Sequence, residues 1–243
     1  MQYKTLSKYY HKLILDSDYD RWTDYLLSLL KSNVYVGAGY DVGCGTGIFT
    51  LKLKKSGYAV KGVDLSSEML AVAKELSVEC GVYIDYLLGD MRALKSLEKL
   101  NFITIVNDGL NYISQKDIKR CFSSLSKCLK KGGILLFDIS TEYKLKSVLN
   151  GNMFGSDDED LSYLWLSDYD DSDKKLTMNL SFFERQGEVY KRFDEQQTQY
   201  AHATSDILNE LKDSSFELIS LTGAYGEELL DNSERAVFLA RKK

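Results

Sequence analysis

The sequence predicts an α/β fold: a doubly wound, mostly parallel seven-stranded sheet with a small antiparallel β insertion after its fifth strand. Three observations lead to this prediction. From residue 40 onward, short apolar runs alternate with amphipathic segments, as in a parallel sheet that helices cover on both faces. Between residues 150 and 200, longer strand-like stretches replace this alternation. After residue 200 the alternation of helix and strand resumes.

The elements of the first half follow in order along the chain. Residues 3–32 are expected to be helical, because their apolar residues recur at helical spacing. The predicted strands are 40–42, 59–63, 83–87, 102–106 and 134–139, and the predicted helices between them are 47–56, 66–79 and 115–130. The last helix should end at two lysines and two glycines, which favour a helix C-terminus.

The second half contains the insertion and the end of the α/β pattern. Residues 157–173 hold eight carboxylates and no lysine or arginine, and we predict a solvated loop there. Strands are predicted over 174–185 and 188–200, with a hairpin turn between them. A helix over 204–213 and strands over 216–222 and 235–241 should complete the large sheet. The predicted division is therefore a core of residues 1–149 and 201–243 and an antiparallel cap of residues 150–200.

Composition narrows the class of protein. The chain has 243 residues, of which 44% are hydrophobic and 28% charged, as in a globular domain with room for a sizeable core. A formal net charge of −5 argues against non-specific binding to nucleic acid. No apolar run approaches the roughly 18 residues of a membrane span, and the N-terminus lacks a signal-peptide pattern, so a cytoplasmic protein without a membrane partner is expected. The spacing of the four cysteines and two histidines fits neither zinc nor a redox pair, and no metal site is predicted.

The segment from Asp41 to Gly47 reads D-V-G-C-G-T-G between the first predicted strand and the next helix. Glycines at this junction allow a sharp turn and a close approach of a ligand to the backbone. A tight turn alone, or a dinucleotide site, would also use glycines here. Dinucleotide-binding loops, however, have the spacing G-x-G-x-x-G, whereas this loop has G-x-G-x-G with a carboxylate two residues before it. The carboxylate favours a ligand that carries positive charge.

This loop resembles motif I of the class I S-adenosylmethionine-dependent methyltransferases, and other segments resemble later motifs of that family. Residues 63–70 resemble the end of the second strand, where an acidic residue (here Asp64) holds the ribose. Residues 89–92 resemble the motif whose aspartate (here Asp90) contacts adenine. Residues 106–112 resemble the exit of the fourth strand beside the transferred methyl group, and residues 129–133 resemble an L-K-P-G-G turn in which Lys131 replaces proline. The resemblance implies a Rossmann-like fold and S-adenosyl-L-methionine as cofactor.

Further segments are similar to a subgroup of small bacterial methyltransferases with an antiparallel cap, which includes sugar-amine N-methyltransferases. The segments are the pattern of Tyr10, Tyr19 and Trp22, the stretch 137–139, and the stretch 190–194. His11 departs from the subgroup, which has an aspartate after the first tyrosine. This departure bears on the N-terminal contact and leaves the main pocket unaffected.

The resemblance implies a set of site residues. Those expected to bind the cofactor are Tyr10, Trp22, Asp41, Gly43, Cys44, Gly45, Gly47, Asp64, Leu65, Met69, Asp90, Met91 and Asn107. Those expected to act in catalysis are Asp108, Tyr112 and His202, and those expected to contact the substrate are Asn111, Tyr190 and Arg192. Simpler interpretations exist for several of them: the two aromatic residues on the first helix suit a core, those after the fourth strand suit a helix cap, and Arg192 suits an ion pair on a solvated strand.

The function that these expectations favour is direct in-line methyl transfer from S-adenosylmethionine to a nitrogen or oxygen of a small-molecule acceptor. Three alternatives remain at this point: a protein that binds S-adenosylmethionine without catalysis, a methyltransferase that acts on RNA or protein, and an NAD-dependent oxidoreductase. The glycine spacing disfavours the last of these. The oligomeric state and the identity of the acceptor do not follow from the sequence.

Overall fold

The computed structural model describes residues 18–243. Most of the first part of the helix predicted over 3–32, together with Tyr10, lies outside the described residues. Within them the α-helices are α1 (Tyr19–Asn33), α2 (Ile48–Lys55), α3 (Ser67–Glu79), α4 (Gln115–Cys128) and α5 (Thr204–Asp213). In this part of the chain, no helix has both the length and the apolar character that a membrane crossing requires.

Seven strands form the large sheet. In chain order they are β1 (Ala38–Val42), β2 (Ala59–Asp64), β3 (Tyr86–Leu88), β4 (Leu100–Ile105), β5 (Leu129–Ser140), β10 (Phe216–Thr222) and β11 (Arg235–Lys242). Their spatial order is β10-β11-β5-β4-β1-β2-β3. The strand β11 runs opposite to the other six, antiparallel to β10 on one side and to β5 on the other. The predicted mostly parallel seven-stranded sheet is confirmed.

Alternating residues of β5 show how both faces of this sheet are buried. Leu135 and Phe137 pack in an apolar cluster with α4 and α5, whereas Ile134 and Leu136 pack in a second cluster with α1 and α2. Successive side chains of a strand point to opposite faces, so the two clusters lie on opposite sides of the sheet. The doubly wound, Rossmann-like arrangement follows from this burial.

The strand order places β1 in the middle of the sheet, between β2 and β4. The chain moves outward from β1 to β2 and β3 on one side and then returns to β4 and β5 on the other. In such sheets a crevice forms at the carboxyl ends of the strands where the order reverses. The segments that leave β1, β2 and β4 therefore meet at one edge.

A second, four-stranded antiparallel sheet follows β5. Its strands are β6 (Met153–Ser156), β7 (Leu161–Asp170), β8 (Lys175–Gln186) and β9 (Val189–Tyr200), paired in that order. Its inner face buries Leu176 and Phe182 against Leu145 and Leu149 from the segment that links the two sheets. The predicted antiparallel insertion after the fifth strand is confirmed.

The prediction of a solvated loop over residues 157–173 is wrong for most of its length. It contains β7, which pairs with β8 from Leu161 to Asp170. Leu161 and Tyr169 face inward and are buried, while Asp168 and Asp170 lie on the exposed side. All eight carboxylates are exposed, as expected, but Asp168 and Asp170 occupy the outer face of a strand and the other six flank it. Their number masked the alternation that marks a strand.

Two predicted boundaries differ from the structure. The strand predicted over 83–87 lies at 86–88, because pairing with β2 begins only where Tyr86 faces Gly62. The helix predicted over 115–130 ends at Cys128, and β5 begins at Leu129, which pairs with Leu100 of β4. Tertiary pairing sets both limits.

Candidate active site

A cavity of about 500 Å³ lies at the edge of the large sheet where β1, β2 and β4 end. This volume is in the usual range for small-molecule sites. Its walls consist of residues 42–46, 64–65, 89–92, 106–109 and 112–113, with Tyr19, Phe49, Met69 and Arg235. Of the residues predicted to bind the cofactor, those that line the cavity are Gly43, Cys44, Gly45, Asp64, Leu65, Met69, Asp90, Met91 and Asn107.

The glycine loop depends on backbone conformations that other residues rarely adopt. Gly43 and Gly45 have φ of +71° and +53° and both face the cavity. Gly47 has φ of +77° but does not line the cavity; a Cβ there would lie 2.5 Å from the Tyr86 hydroxyl oxygen. Two of the glycines therefore shape the ligand side of the loop, and Gly47 allows the loop to pack against β3.

The carboxylate of Asp64 links the end of β2 to this loop. One oxygen accepts a hydrogen bond from the Gly45 N–H at 2.8 Å, and the other accepts one from the Ser66 N–H at 2.9 Å. Burial raises the pKa of Asp64 above its ordinary value, against the opposing effect of these hydrogen bonds. The carboxylate is thereby held at the cavity wall in a defined orientation.

Asp90 lies on the part of the wall that follows β3. The guanidinium of Arg92 donates to both of its oxygens, with distances of 2.7–3.0 Å, and also contacts Asp117 at 3.3 Å. The hydrogen bonds from Arg92 lower the pKa of Asp90. Asp90 is therefore an ionised acceptor whose position depends on Arg92.

Two predicted cofactor residues lie behind the wall. Asp41 is fully buried, and its oxygens accept hydrogen bonds from the hydroxyls of Thr50 at 2.6 Å and Thr104 at 2.8 Å. Trp22 is also buried, and its ring packs under the guanidinium of Arg235 at 5.0 Å. Trp22, which is expected from the sequence to bind the cofactor, therefore lies behind the cavity wall on the core-facing side of its helix.

The residues that leave β4 form a second part of the cavity wall, which we call the β4 end: Asn107, Asp108, Gly109 and Tyr112. Asp108 accepts a hydrogen bond from Gln199 at 2.6 Å and pairs with Arg235 at 3.2 Å. The Tyr112 hydroxyl donates to Gln197 at 3.0 Å. Both predicted catalytic residues of this segment therefore face the cavity and are held by side chains from distant elements.

The charge of Asp108 is set by its neighbours. Burial by itself would raise the pKa of Asp108, but the positive charges of Arg235 and Lys144 outweigh it and hold the pKa below its ordinary value. Burial raises the pKa of Tyr19, whose hydroxyl bonds to Asn107. The cavity wall thus presents the ionised Asp108 carboxylate at the β4 end and the neutral phenol of Tyr19 next to that end.

Two other predicted residues have structural roles. The Asn111 side chain is fully buried; it donates to the carbonyls of Ser140 and Tyr200 and accepts from the Ser140 N–H, so it joins β5 to β9 and does not face the cavity. His202 is 4% exposed and does not line the cavity. Burial lowers the pKa of His202 to about 4, so the imidazole is neutral at pH 7. Asn111, expected to contact the substrate, and His202, expected to act in catalysis, are therefore both buried away from the cavity wall.

Tyr190 and Arg192 share a face of β9, as their spacing predicts, but it is the outer face. The Tyr190 hydroxyl donates to the Glu159 carbonyl, and Arg192 pairs with Asp194 at 2.9 Å while its side chain is 60% exposed. Neither lines the cavity. The structure therefore places the two residues expected to contact the acceptor away from this cavity; the inner face of β9 carries Gln197 and Gln199 instead.

Polar residues of the site that were not predicted as contacts include Tyr19, Arg92, Arg235, Gln197 and Gln199. Arg235 stands at the start of the apolar run 235–240. Because a charge in a buried strand is seldom unpaired, its position indicates a partner carboxylate in the interior. The two glutamines alternate with a threonine on a strand, which marks one polar face but does not show that it is buried. Tyr19 is predicted only as part of the N-terminal pattern of aromatic residues.

Comparison with known proteins identifies the family. A methyltransferase domain family matches residues 40–133. A putative methyltransferase of Bacillus subtilis, YqeM, is 34% identical over 245 residues, which cover 100% of this chain and 98% of the relative. The crystal structure of an S-adenosylmethionine-dependent methyltransferase from Clostridium acetobutylicum is 33% identical, covers 99% of this chain and 98% of that one, and superposes with a TM-score of 0.88. The chain belongs to the S-adenosylmethionine-dependent methyltransferases.

A more distant structure shares the fold of this methyltransferase. The sugar N-methyltransferase KedS8 from Streptoalloteichus is 16% identical, covers 100% of this chain and 94% of that one, and superposes with a TM-score of 0.80. The predicted family, fold class and cofactor are confirmed, and this methyltransferase is an enzyme, as predicted. The alternatives of an NAD-dependent oxidoreductase and a non-catalytic binding protein are set aside.

The cavity fits S-adenosylmethionine. A Cβ at Gly43 would meet only the Met91 methyl group, at 3.5 Å, so the loop leaves open space where a ligand can approach its backbone. Three carboxylates line the cavity, Asp64, Asp90 and Asp108, and they suit a ligand with a sulfonium and an ammonium group. Among residues 18–243, no group of metal-ligating side chains accompanies them. In this methyltransferase, Asp64 and the glycine loop would hold the cofactor.

We expect Asp64→Ala to weaken S-adenosylmethionine binding about 10- to 150-fold. The basis is the loss of hydrogen bonds to a charged group, which contribute about 1.5–3 kcal/mol. Asp64→Glu should be milder without being neutral, since it keeps the charge but displaces it. Calorimetric titration measures both, and an unchanged dissociation constant for the alanine variant would assign the ribose contact to another carboxylate.

Asp41→Asn should make stability less dependent on pH. Burial, the largest cause, raises the pKa of Asp41 from 3.8 to about 6 in the folded state. Its protonation therefore stabilises the fold below pH 4, and this contribution is lost as the pH rises through 6. Relative to the wild type, the asparagine variant should gain up to about 3 kcal/mol between pH 4 and pH 7. Urea denaturation at several pH values tests this, and a constant difference would contradict it.

Proposed function

We propose that this methyltransferase acts on a nitrogen or oxygen atom of a small molecule that binds at the β4 end of the cavity. The observation that carries the proposal is the Asp108 carboxylate, which lines the cavity, accepts from Gln199 and is kept ionised by Arg235. An ionised carboxylate in an enclosed site favours a partner that donates N–H or O–H hydrogen bonds. Amines and alcohols carry these donors on the nucleophilic atom itself.

Bound S-adenosylmethionine supplies a methyl group on an activated sulfonium, so no covalent nucleophile is required from the protein. The tasks of the chain are to orient the acceptor and exclude water. Asp108 would accept the hydrogen bond of the nucleophile and fix its direction. Tyr19 and Tyr112 also line the cavity and would complete the polar surroundings.

The proton of the nucleophile also has to be accommodated. His202 is unsuited to take it, because it lies outside the cavity wall. Asp108 is the carboxylate of the β4 end, but the charge of Arg235 lowers its basicity. We therefore assign to Asp108 mainly the orientation of the acceptor. Its negative charge also favours loss of the nucleophile's proton, which passes to solvent.

The proposal of a small acceptor rests on how the second sheet covers the site. Gln197 and Gln199 of β9 contact Tyr112 and Asp108, so β9 lies against the β4 end. One cavity of about 500 Å³ has to receive both the cofactor and the reacting group. A site of this size favours a compact acceptor. The similarity in fold to a sugar N-methyltransferase is compatible with this class.

The experiment supplies the enzyme with methyl-labelled S-adenosylmethionine and a bacterial extract separated by ultrafiltration into small molecules and macromolecules. The proposal expects label in the small-molecule fraction, and label confined to protein or RNA would contradict it. Asp108→Asn should lower this transfer at least about tenfold while S-adenosylhomocysteine still binds. The matched control is Asp194→Asn, which removes an exposed carboxylate paired with Arg192 and should leave transfer unchanged.

A further inference from the structure

The turn at the end of β4 has a backbone conformation that requires support. Asn107 and Asp108 are consecutive, neither is glycine, and their φ values are +56° and +52°. Residues with a side chain occupy this left-handed region at a cost, and two in succession persist only where neighbouring groups hold them. Both residues line the cavity. Whatever holds this turn therefore also sets the position of the Asp108 carboxylate.

The group that holds the turn is the side chain of Asp138, near the end of β5. Its Oδ1 accepts a hydrogen bond from the Asn107 N–H at 2.8 Å, and its Oδ2 accepts one from the Asp108 N–H at 3.1 Å. Oδ2 also accepts from the guanidinium of Arg235. Asp138 is fully buried and does not line the cavity. Its contacts connect the turn, β5 and β11.

We propose that Asp138 is a positioning residue of this enzyme, which acts on the β4 end through the two N–H groups of the Asn107–Asp108 turn. One carboxylate binds both backbone donors and the cation that pairs with Asp108, so the turn and its charge partner share one anchor. The inference rests on the role proposed above for Asp108, but it concerns the backbone and can be tested without an acceptor.

The chemistry of the anchor requires a carboxylate. Three donors converge on Asp138, and an ionised carboxylate only accepts hydrogen bonds. An asparagine at this position has nearly the same shape, but its NH₂ group would face one of the donors. Asp138→Asn should therefore release at least one end of the turn while it preserves the packing of β5.

The test measures amide hydrogen exchange by NMR together with S-adenosylhomocysteine binding by calorimetry. In Asp138→Asn, protection of the Asn107 and Asp108 amides should fall at least about tenfold relative to the amides of β1, and the dissociation constant should rise about tenfold. The matched control is Tyr58→Phe, which removes a buried hydrogen bond to the Val34 carbonyl away from the cavity. It should leave both quantities within about twofold of the wild type.

A folded Asp138→Asn protein with unchanged protection of these two amides would overturn the inference. If that variant does not fold, Asn107→Gly is compared with Asn107→Ala in the otherwise natural chain. Glycine adopts a positive φ freely and alanine does not, so the glycine variant should bind S-adenosylhomocysteine several-fold more tightly. Equal affinities would overturn the inference. Label confined to protein or RNA in the transfer experiment would instead count against the proposed function and leave this inference standing, because the exchange measurement needs no acceptor.

Discussion

Gly45→Val is expected to abolish S-adenosylmethionine binding while the protein remains folded. Gly45 has φ of +53° and lines the cavity. Its N–H donates a hydrogen bond to the Asp64 carboxylate. A β-branched side chain is strongly disfavoured in this conformation and would occupy space that the cofactor needs. We expect affinity to fall at least about 100-fold, which corresponds to roughly 2.7 kcal/mol. Calorimetric titration measures the affinity, and circular dichroism verifies the fold.

The control has to separate backbone strain from loss of the ligand site. Gly57, at the end of α2, also has a positive φ of +93°, and a Cβ there would meet nothing within 4 Å. Gly57→Val should therefore lower stability through strain, as Gly45→Val does, yet leave S-adenosylmethionine binding within about twofold, since it lies away from the cavity. Tight binding by the Gly45→Val variant would show that the cofactor does not approach this loop.

The largest effect on stability is expected for Arg235→Ala. Arg235 pairs with Asp108 at 3.2 Å and with the fully buried Asp138, and its guanidinium stacks on the Trp22 ring. Its removal leaves two neighbouring carboxylates in the interior without their cation. Breaking a buried pair in this way typically costs about 3–5 kcal/mol. Urea denaturation at pH 7 should show a loss of that size, together with weaker S-adenosylhomocysteine binding.

Arg192→Ala is the matched control for this result. Arg192 pairs with Asp194 on the outer face of β9, where both side chains are 60% exposed. Exposed ion pairs contribute about 0–1 kcal/mol, so this variant should remain close to the wild type in stability and in ligand binding. A loss for Arg235→Ala no larger than that for Arg192→Ala would contradict the assignment of Arg235 to a buried network.

The half of the site that binds the cofactor could be predicted from the sequence because its motifs are local. Gly43, Gly45 and Asp64 follow strands that apolar runs reveal, and the carboxyl ends of parallel strands meet at one edge of a sheet. Nine of the predicted cofactor residues line the cavity for this reason. Asp41 and Gly47 belong to the same motif but do not line the cavity. The Asp41 side chain is buried, and a Cβ at Gly47 would point into the protein.

The β4 end could be predicted only in part, since its partners come from distant segments. Asp108 was chosen from its place after β4, but Gln199 lies 91 residues away and Arg235 lies 127 residues away. Neither Gln199 nor Arg235 belongs to a sequence motif that indicates a functional site. His202 was chosen for its chemistry, and its burial removed it from the cavity. Proximity of these groups arises from packing of β9 and β11 against the β4 end.

Local patterns in the sequence predict the strands and helices of the large sheet, the glycine loop with its acidic partner after β2, and the two faces of β9, but they do not reveal β6 or β7. Which face of β9 lies inside follows from the tertiary structure alone. A period of two distinguishes two faces of a strand but does not orient them, because both faces of β9 carry polar residues. Pairing with β8 and contact with the β4 end turned Gln197 and Gln199 inward and left Tyr190 and Arg192 in solvent.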